Sequence, residues 1–404
     1  MQVFPAKRHE NRIFRTDPSG EIRQAQHLSP EHPVMLTSLA LTRFSLFAEA
    51  KLDVTTGMNV IVGENSTGKS HLLKLAYVLS ALQSESSEET APEIHFHLDE
   101  RIAEKLVAVF RPDILGGLVN RSPDRSPGRS RCVVHADFQG HVLRFSFAPN
   151  SRKKVVIEAH TPSKTAKPPV MLPPKEALSL FPSLVGSYER RELPMDETYY
   201  DLCRKFQAGA LKLSQLDPIT SLIRELEAIL RGKVLQEHGR FHVKTHDKGK
   251  LEISLLAEGL RKIAQLAYLL LNGSLCRGCT LFWDEPDSNL NPRLIRKVAQ
   301  ALLATSQAGI QVVIATHSLF LLRELTLLNR SHAVPTLFTG LEYHNSGVVA
   351  HQDETIEGLP NIAALDEELD QSDRYLEQHL ETDRTKDLER DLEPATASPR
   401  ETNP

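Results

Sequence analysis

The spacing of apolar residues changes character several times along the chain, and each change predicts an element. Met35-Leu36, Leu39, Leu41, Phe44 and Leu46-Phe47, followed by Leu52 and Val54, read as two strands of a short hairpin. Met58 to Val62 continues as a third strand. Leu72, Leu73, Leu75-Ala76, Leu79 and Leu82 then recur at three-to-four spacing, the pattern of a helix lying on a sheet, until the Ser/Glu run from Ser84 to Thr90 ends it. Pro218 to Leu230 repeats that spacing through Ile219, Leu222-Ile223, Leu226 and Ile229-Leu230, with proline in the first turn and Gly232 as the stop. Val234-Leu235 and Phe241 to Lys244 flank a turn at His238-Gly239, Leu251 to Leu255 reads as a strand, and a long helix runs on to Leu271. Gly278 to Trp283 and Gln311 to Ala315 are buried-strand signals separated by a helix over Ile295 to Ser306. Strand, helix and strand in alternation predict an α/β fold with a mostly parallel central sheet.

Where the periodicity lapses, the chain divides. Residues 1–34 are polar and rich in Arg, His and Pro, and are expected to be a flexible extension or a partner-binding arm. Residues 35–91 form an N-terminal lobe and 217–350 a C-terminal lobe. Between them, 92–216 holds short alternating segments at Val133-Val134, Val142 to Phe147 and Val155 to Ile157. Pro-, Ser- and Arg-rich connections at Asn120 to Arg131 and Thr161 to Pro174 separate them, so this stretch reads as a β-rich insertion, with His95 and His97 as strand neighbours. Residues 351–404 are an acidic tail with a weak helical pattern at Leu365, Leu369, Tyr375-Leu376 and Leu380, and its last twenty or so residues are expected to be disordered.

Composition narrows the class. With 404 residues, 40% hydrophobic and 25% charged, the chain fits a soluble globular protein. Its longest apolar run, Ile263 to Leu271, is too short to span a bilayer, and Met1 to His9 lacks the apolar core of a secretion signal, so the expectation is cytoplasmic, with no membrane partner. The net charge of -4 conceals an asymmetry: sixteen acidic and five basic residues lie from Asp353 onward, leaving the rest mildly basic. Arg121, Arg125, Arg129 and Arg131 read either as a solvated loop or as phosphate contacts, and no aromatic residues are interleaved there for stacking on bases. Four cysteines make no disulfide framework. Cys276-Arg-Gly-Cys279 has metal-ligand spacing, but Cys132 and Cys203 lie far away, so the pair reads as two incidental thiols in a loop.

The candidate chemistry begins where the third strand ends. Gly63-Glu64-Asn65-Ser66-Thr67-Gly68-Lys69-Ser70 is G-x-x-x-x-G-K-S between a strand and a helix, a phosphate-binding loop. Its glycines let backbone N–H groups and a helix N-terminus approach phosphates, Lys69 supplies a charge to them, and Ser70 a hydroxyl for Mg²⁺. Asp284 ends an apolar strand, as suits a carboxylate that holds Mg²⁺. Glu285 follows it on the other side of the chain, placed to orient or deprotonate a water as general base. His317 ends the next strand.

Taken together, Gly63 to Ser70, Leu256 to Lys262, Leu281 to Pro292 and Val313 to Ser318 resemble the ATP-binding-cassette class of P-loop ATPases, in its soluble prokaryotic branch allied to SMC, RecF and overcoming-lysogenization-defect ATPases. The resemblance covers roughly residues 36–330 and implies an ABC-ATPase head with an antiparallel β subdomain and a compact inserted lid. It implies ATP and Mg²⁺ as cofactors, His317 as a switch histidine on the γ-phosphate, and Leu256-Ala257-Glu258-Gly259-Leu260 in the place of the signature that faces ATP held by a second subunit. Ala257 stands where the class has serine, so one hydroxyl contact is missing; the N–H of Gly259, the helix dipole and Arg261 or Lys262 are the candidates to compensate. Ser288-Asn289-Leu290-Asn291 matches the inter-subunit loop. The glutamine loop is illegible, with Leu172 to Glu176 only a positional candidate, and Arg43, Phe44 and Phe47 are the options for adenine stacking.

About two hundred residues separate Lys69 from Asp284, whereas a coiled-coil arm of about 200 Å takes roughly 130 residues in each direction at 1.5 Å per residue. The insertion is therefore expected to be a compact lid, and the resemblance implies an ATPase that forms a homodimer sandwiching ATP and controls a separately encoded effector, a nuclease or toxin, as in the phage-defence modules the chain resembles. A RecF-like ATPase that binds DNA directly, a transporter subunit and a nucleotide-gated scaffold with little turnover are the alternatives.

Overall fold

The computed structural model describes residues 33–85, 97–121, 131–190, 192–212, 219–245, 247, 249–344, 347–360, 367 and 370–378. The hairpin β1 (Ser38–Phe44) and β2 (Phe47–Asp53) leads to β3 (Met58–Gly63) and then α1 (Lys69–Glu85). α2 (Leu98–Phe110) precedes β4 (Cys132–Phe138), β5 (His141–Phe147), β6 (Val156–His160) and the short β7 (Val170–Leu172). Three helices follow, α3 (Ser183–Glu189), α4 (Glu197–Phe206) and α5 (Thr220–Leu230), with a small sheet of β8 (Gly232–Glu237), β9 (Arg240–Thr245) and β10 (Gly249–Glu252). α6 (Glu258–Leu271), β11 (Thr280–Asp284), α7 (Pro292–Gln307), β12 (Gln311–Thr316), α8 (Leu319–His332), β13 (Thr336–His344) and β14 (Gly347–Asp353) complete the order.

The central sheet runs β14-β13-β3-β12-β11-β7, parallel throughout except for the edge strand β14. Its inner strands are buried on both faces, which is why they read as unbroken apolar runs rather than alternating ones. Val60, Val62, Leu281, Trp283, Val312 and Ile314 face a core shared with α5, α6 and α7. Ile61, Phe282, Val313 and Ala315 face the other way, against α1 and α2. Beyond those helices lies the antiparallel sheet β2-β1-β4-β5-β6, whose strand β4 alternates buried and half-buried residues as a one-sided sheet should.

Residues 92–216, expected as one inserted lid, are shared among several layers. β4 pairs with β1, β7 joins the central sheet beside β11, and only α3 and α4, with α5 and the β8–β10 sheet, lie between β7 and α6. β7 is legible only in retrospect, because three apolar residues bracketed by Pro168-Pro169 and Pro173-Pro174 carry too little pattern. The helix α2 went unpredicted although Leu98, Ile102, Leu106 and Val109 all turn inward on one face. His97 lies in the turn that opens this helix, not on a strand, and His95 lies outside the described residues. The strand expected over Leu251 to Leu255 stops at Glu252 and tightens into a 3₁₀ turn over Ile253–Leu255. The 1–32 arm, Arg125, Arg129 and residues 379–404 also lie outside the described residues.

Candidate functional site

The parallel registry brings three chain segments to one end of the central sheet. Asp284 is level with Ala315, and Ala315 with Ile61, so the residues after β11, β12 and β3 emerge side by side. Those are Glu285, His317 and the loop Glu64-Asn65-Ser66-Thr67 that closes on Gly68, Lys69 and Ser70. Ligands of open parallel sheets bind outside such strand ends.

The loop is shaped by its own glycines. A Cβ on Gly63 would sit 2.6 Å from the Leu341 carbonyl oxygen and 2.8 Å from Thr67 Oγ1, and Gly68 holds φ +89. Ser66 also takes a positive φ, and the Thr67 hydroxyl donates to the Glu64 carbonyl at 2.8 Å. Lys69, almost fully buried, donates to the carbonyls of Gly63 at 2.8 Å and Glu64 at 2.7 Å. Burial pulls its pKa below the ordinary lysine value, opposed by the carboxylates of Glu285, Asp284, Asp287 and Glu64.

Asp284 is 2% exposed, and burial raises its pKa, with the nearby Ser70 hydroxyl pulling the other way. Its Oδ1 has no hydrogen-bond partner among the described residues. An orphaned buried carboxylate oxygen next to a serine hydroxyl, both oxygen donors, suits a hard divalent cation such as Mg²⁺, and these two side chains would hold it. Glu285 adopts φ +48 while its N–H donates to the Ala315 carbonyl at 2.9 Å, so the chain turns sharply and the carboxylate leaves the sheet. His317 stands beside it, Nδ1 3.8 Å from Glu285 Oε1, about half-exposed.

The turn beyond Glu285 is held from beneath by residues the sequence reading did not place there. Lys262, 1% exposed, donates to the Glu285 carbonyl at 3.0 Å, the Ser288 carbonyl at 3.0 Å and Ser288 Oγ at 2.5 Å. Burial lowers its pKa against the pull of Glu258 and three nearby acidic residues. Thr316 donates to Asp287 Oδ1 at 2.6 Å, tying the same turn to β12. One signal was available: Lys262 falls on the helix face of Gly259, Ile263 and Leu266, an apolar face where a lysine needs a buried partner. Lys262 and Arg261, named above as groups that reach a second subunit, are thus committed internally, Arg261 to the buried Glu176 at 2.9 Å.

At the signature position the first turn of α6 has no side-chain cap, leaving N–H groups after Ala257 open. Ala257 is exposed, Glu258 half-exposed and Gly259 buried, since a Cβ there would meet Leu290 at 2.1 Å. Leu172 to Glu176 leaves β7 beside β11, and Glu176 meets α6, so the positional candidate does adjoin the site. Of the adenine options, Phe44 and Phe47 are fully buried and therefore unable to stack on a ligand, whereas Arg43 is half-exposed.

Residues 171–323 match the family model described as AAA domain, putative AbiEii toxin, Type IV TA system, a span that includes Ala257, Asp284, Glu285 and His317 but not the Gly63–Ser70 loop. No curated protein matches the chain. Among solved structures, an SMC head bound to the C-terminal winged-helix domain of ScpA is similar over 80% of this chain and 98% of its own, at 13% identity and TM-score 0.50. The SMC head domain from Thermotoga maritima aligns over 79% of this chain and 99% of its own at 14% identity with TM-score 0.43.

Proposed function

The chain has the fold of an SMC/AAA-type P-loop ATPase, and from that premise we propose that it binds ATP with Mg²⁺, hydrolyses it, and forms a homodimer around the nucleotide. The observation that carries this reading is the convergence of Lys69, Ser70, Asp284, Glu285 and His317 at adjacent strand ends. In it, backbone N–H groups from Glu64 to Ser70 cradle the phosphates, and Lys69 exchanges its two loop carbonyls for phosphate oxygens. Ser70 and Asp284 hold the Mg²⁺, which neutralises phosphate charge when bound. Glu285 orients and deprotonates the attacking water, and His317, whose Nδ1 lies 3.8 Å from Glu285 Oε1, reports on the γ-phosphate. Ala257, Glu258 and Gly259 present the uncapped end of α6 to nucleotide held by the second copy.

The dimer's opening and closing would act on a separately encoded effector in antiviral defence. The family description, with its toxin–antitoxin wording, supports that context, and the ScpA domain on the similar SMC head supports docking of a separate protein. The test compares Glu285→Gln with Lys69→Ala by light scattering and phosphate release. Glu285→Gln should retain ATP, accumulate dimers and turn over about 10²–10⁴-fold more slowly. Lys69→Ala should bind no ATP and stay monomeric. Equal dimerisation of the two variants with ATP rejects the cycle.

A further inference from the structure

One pair of reactive side chains outside this site is held in contact by the fold and serves no role above. Cys276 and Cys279 occupy the two ends of the turn that enters β11, with their Sγ atoms 3.2 Å apart. The turn is built to stay closed. Cys279 N donates to the Cys276 carbonyl at 2.9 Å, and Gly278 N to the Gly309 carbonyl at 2.8 Å. Gly278 takes φ +86, and a Cβ there would lie 2.5 Å from Pro33 Cβ, so the position is reserved for glycine.

The two thiols differ in surroundings. Cys276 is half-buried, whereas Cys279 is buried. Lys167 lies over the pair, Nζ 3.7 Å from Cys276 Sγ, fixed by its hydrogen bond to the Arg277 carbonyl at 2.7 Å. The Cys279 S–H and the Lys167 ammonium both favour a thiolate on Cys276. Its pKa falls to about 6, first through the hydrogen bond with Cys279 and then, against desolvation, through Lys167 and Lys205. That same hydrogen bond, with burial, pushes Cys279 far up. Among the described residues no third His, Cys, Asp or Glu joins them in a group that could hold a metal.

We propose that Cys276 and Cys279 are a redox-active dithiol whose substrate is a small-molecule disulfide, with Cys276 the attacking thiolate and Cys279 the resolving thiol. Cys276 Sγ attacks one sulfur of the small disulfide, forming a mixed disulfide and expelling one small thiolate, which takes a proton from water. Cys279 then loses its proton to solvent and attacks Cys276 Sγ. The Cys276–Cys279 bond forms, the second small thiolate leaves, and the protein has lost two hydrogens while the small disulfide has been reduced to two thiols. Both protein sulfurs start 3.2 Å apart, so the second step needs only a contraction of about 1 Å to the usual bond of about 2.05 Å.

The experiment uses the full chain with glutathione disulfide as probe, read by intact mass and by iodoacetamide labelling with peptide mapping. Wild type is expected to lose two hydrogens and to protect both residues from labelling, while Cys279→Ser stops at one glutathionyl group on Cys276 and Cys276→Ser reacts at neither position. Before oxidation, labelling of Cys276 should reach half its maximal rate near pH 6. A glutathionyl group that persists on wild type, labelling of Cys276 with an ordinary thiol midpoint near pH 9, or stoichiometric zinc whose removal is needed before either thiol reacts would each overturn the proposal. All three readings leave the ATPase assignment untouched, because neither thiol is part of that site.

Discussion

Several side chains in this molecule hold charge or hydrogen-bonding capacity that their surroundings do not fully match, and each mismatch has a measurable consequence. Asp284 Oδ1 is buried without a partner among the described residues. Asp284→Asn removes that burdened charge, so the metal-free protein should melt at or above the wild-type temperature while the stabilisation by ATP with Mg²⁺ disappears in a thermal-shift titration. Lys262 satisfies two carbonyls and a hydroxyl at once. Lys262→Met should cost about 2–3 kcal/mol in urea denaturation and slow phosphate release, while ATP binding at the Gly63–Ser70 loop is kept. Cys276 adds a pH effect: its thiol lies near 6 in the folded chain against 9.0 unperturbed. A depressed acid stabilises the fold fully above the unfolded value and loses that contribution as pH falls through the folded one. Stability should therefore decline between pH 9 and 6, and Cys276→Ser should flatten the slope in that window.

At the scale of elements, what joins α1 and α2 to α4 is a polar network. Lys105 on α2, 4% exposed at its side chain, pairs with Asp201 at 2.6 Å and Glu197 at 3.4 Å on α4. From α1, Tyr77 donates to the same Asp201 at 2.5 Å and Lys74 pairs with Asp196 at 2.8 Å. Burial first, and then Asp201, push the Tyr77 phenol well above its ordinary pKa. Asp201→Ala should destabilise by roughly 3 kcal/mol because it strands a buried phenol and leaves a buried ammonium with only its more distant partner, Glu197, and Lys105→Met in that background should recover part of the loss, a coupling readable in a double-mutant cycle. The elements legible from sequence were those with long, uniform patterns: the β1–β2 hairpin, β3, α1, α5, β11, α7 and β12. The strand-loop-helix around Gly63–Ser70 and the strand ending at Asp284 were legible because strand, loop and helix follow one another without interruption. β7, α2 and β13–β14 escaped. β7 is too short, α2 sits in a stretch dominated by polar connections, and the buried Thr339 and Gly340 interrupt the apolar run of β13. The Lys262 contact was illegible for another reason, since its partners are carbonyls twenty-three and twenty-six residues away.

For the whole molecule, the surface that would meet a second copy carries Leu255, 74% exposed, just before the uncapped first turn of α6. Leu255→Asp should weaken the ATP-dependent dimer of Glu285→Gln by about 10-fold or more in light scattering, with no change in the monomer's melting temperature. No helix among the described residues is long and apolar enough to cross a membrane. Behind that surface, Leu290 lies over Gly259 so closely that even a methyl group would collide with it. The first turn of α6 and the bend that follows Glu285 are therefore pressed together without room for a methyl group, so in the proposed dimer a nudge given to one would be felt by the other. If two copies do share nucleotide as proposed, Gly259→Ala, which prises these segments apart, should bring the Hill coefficient of ATP consumption down towards 1 in a phosphate-release titration.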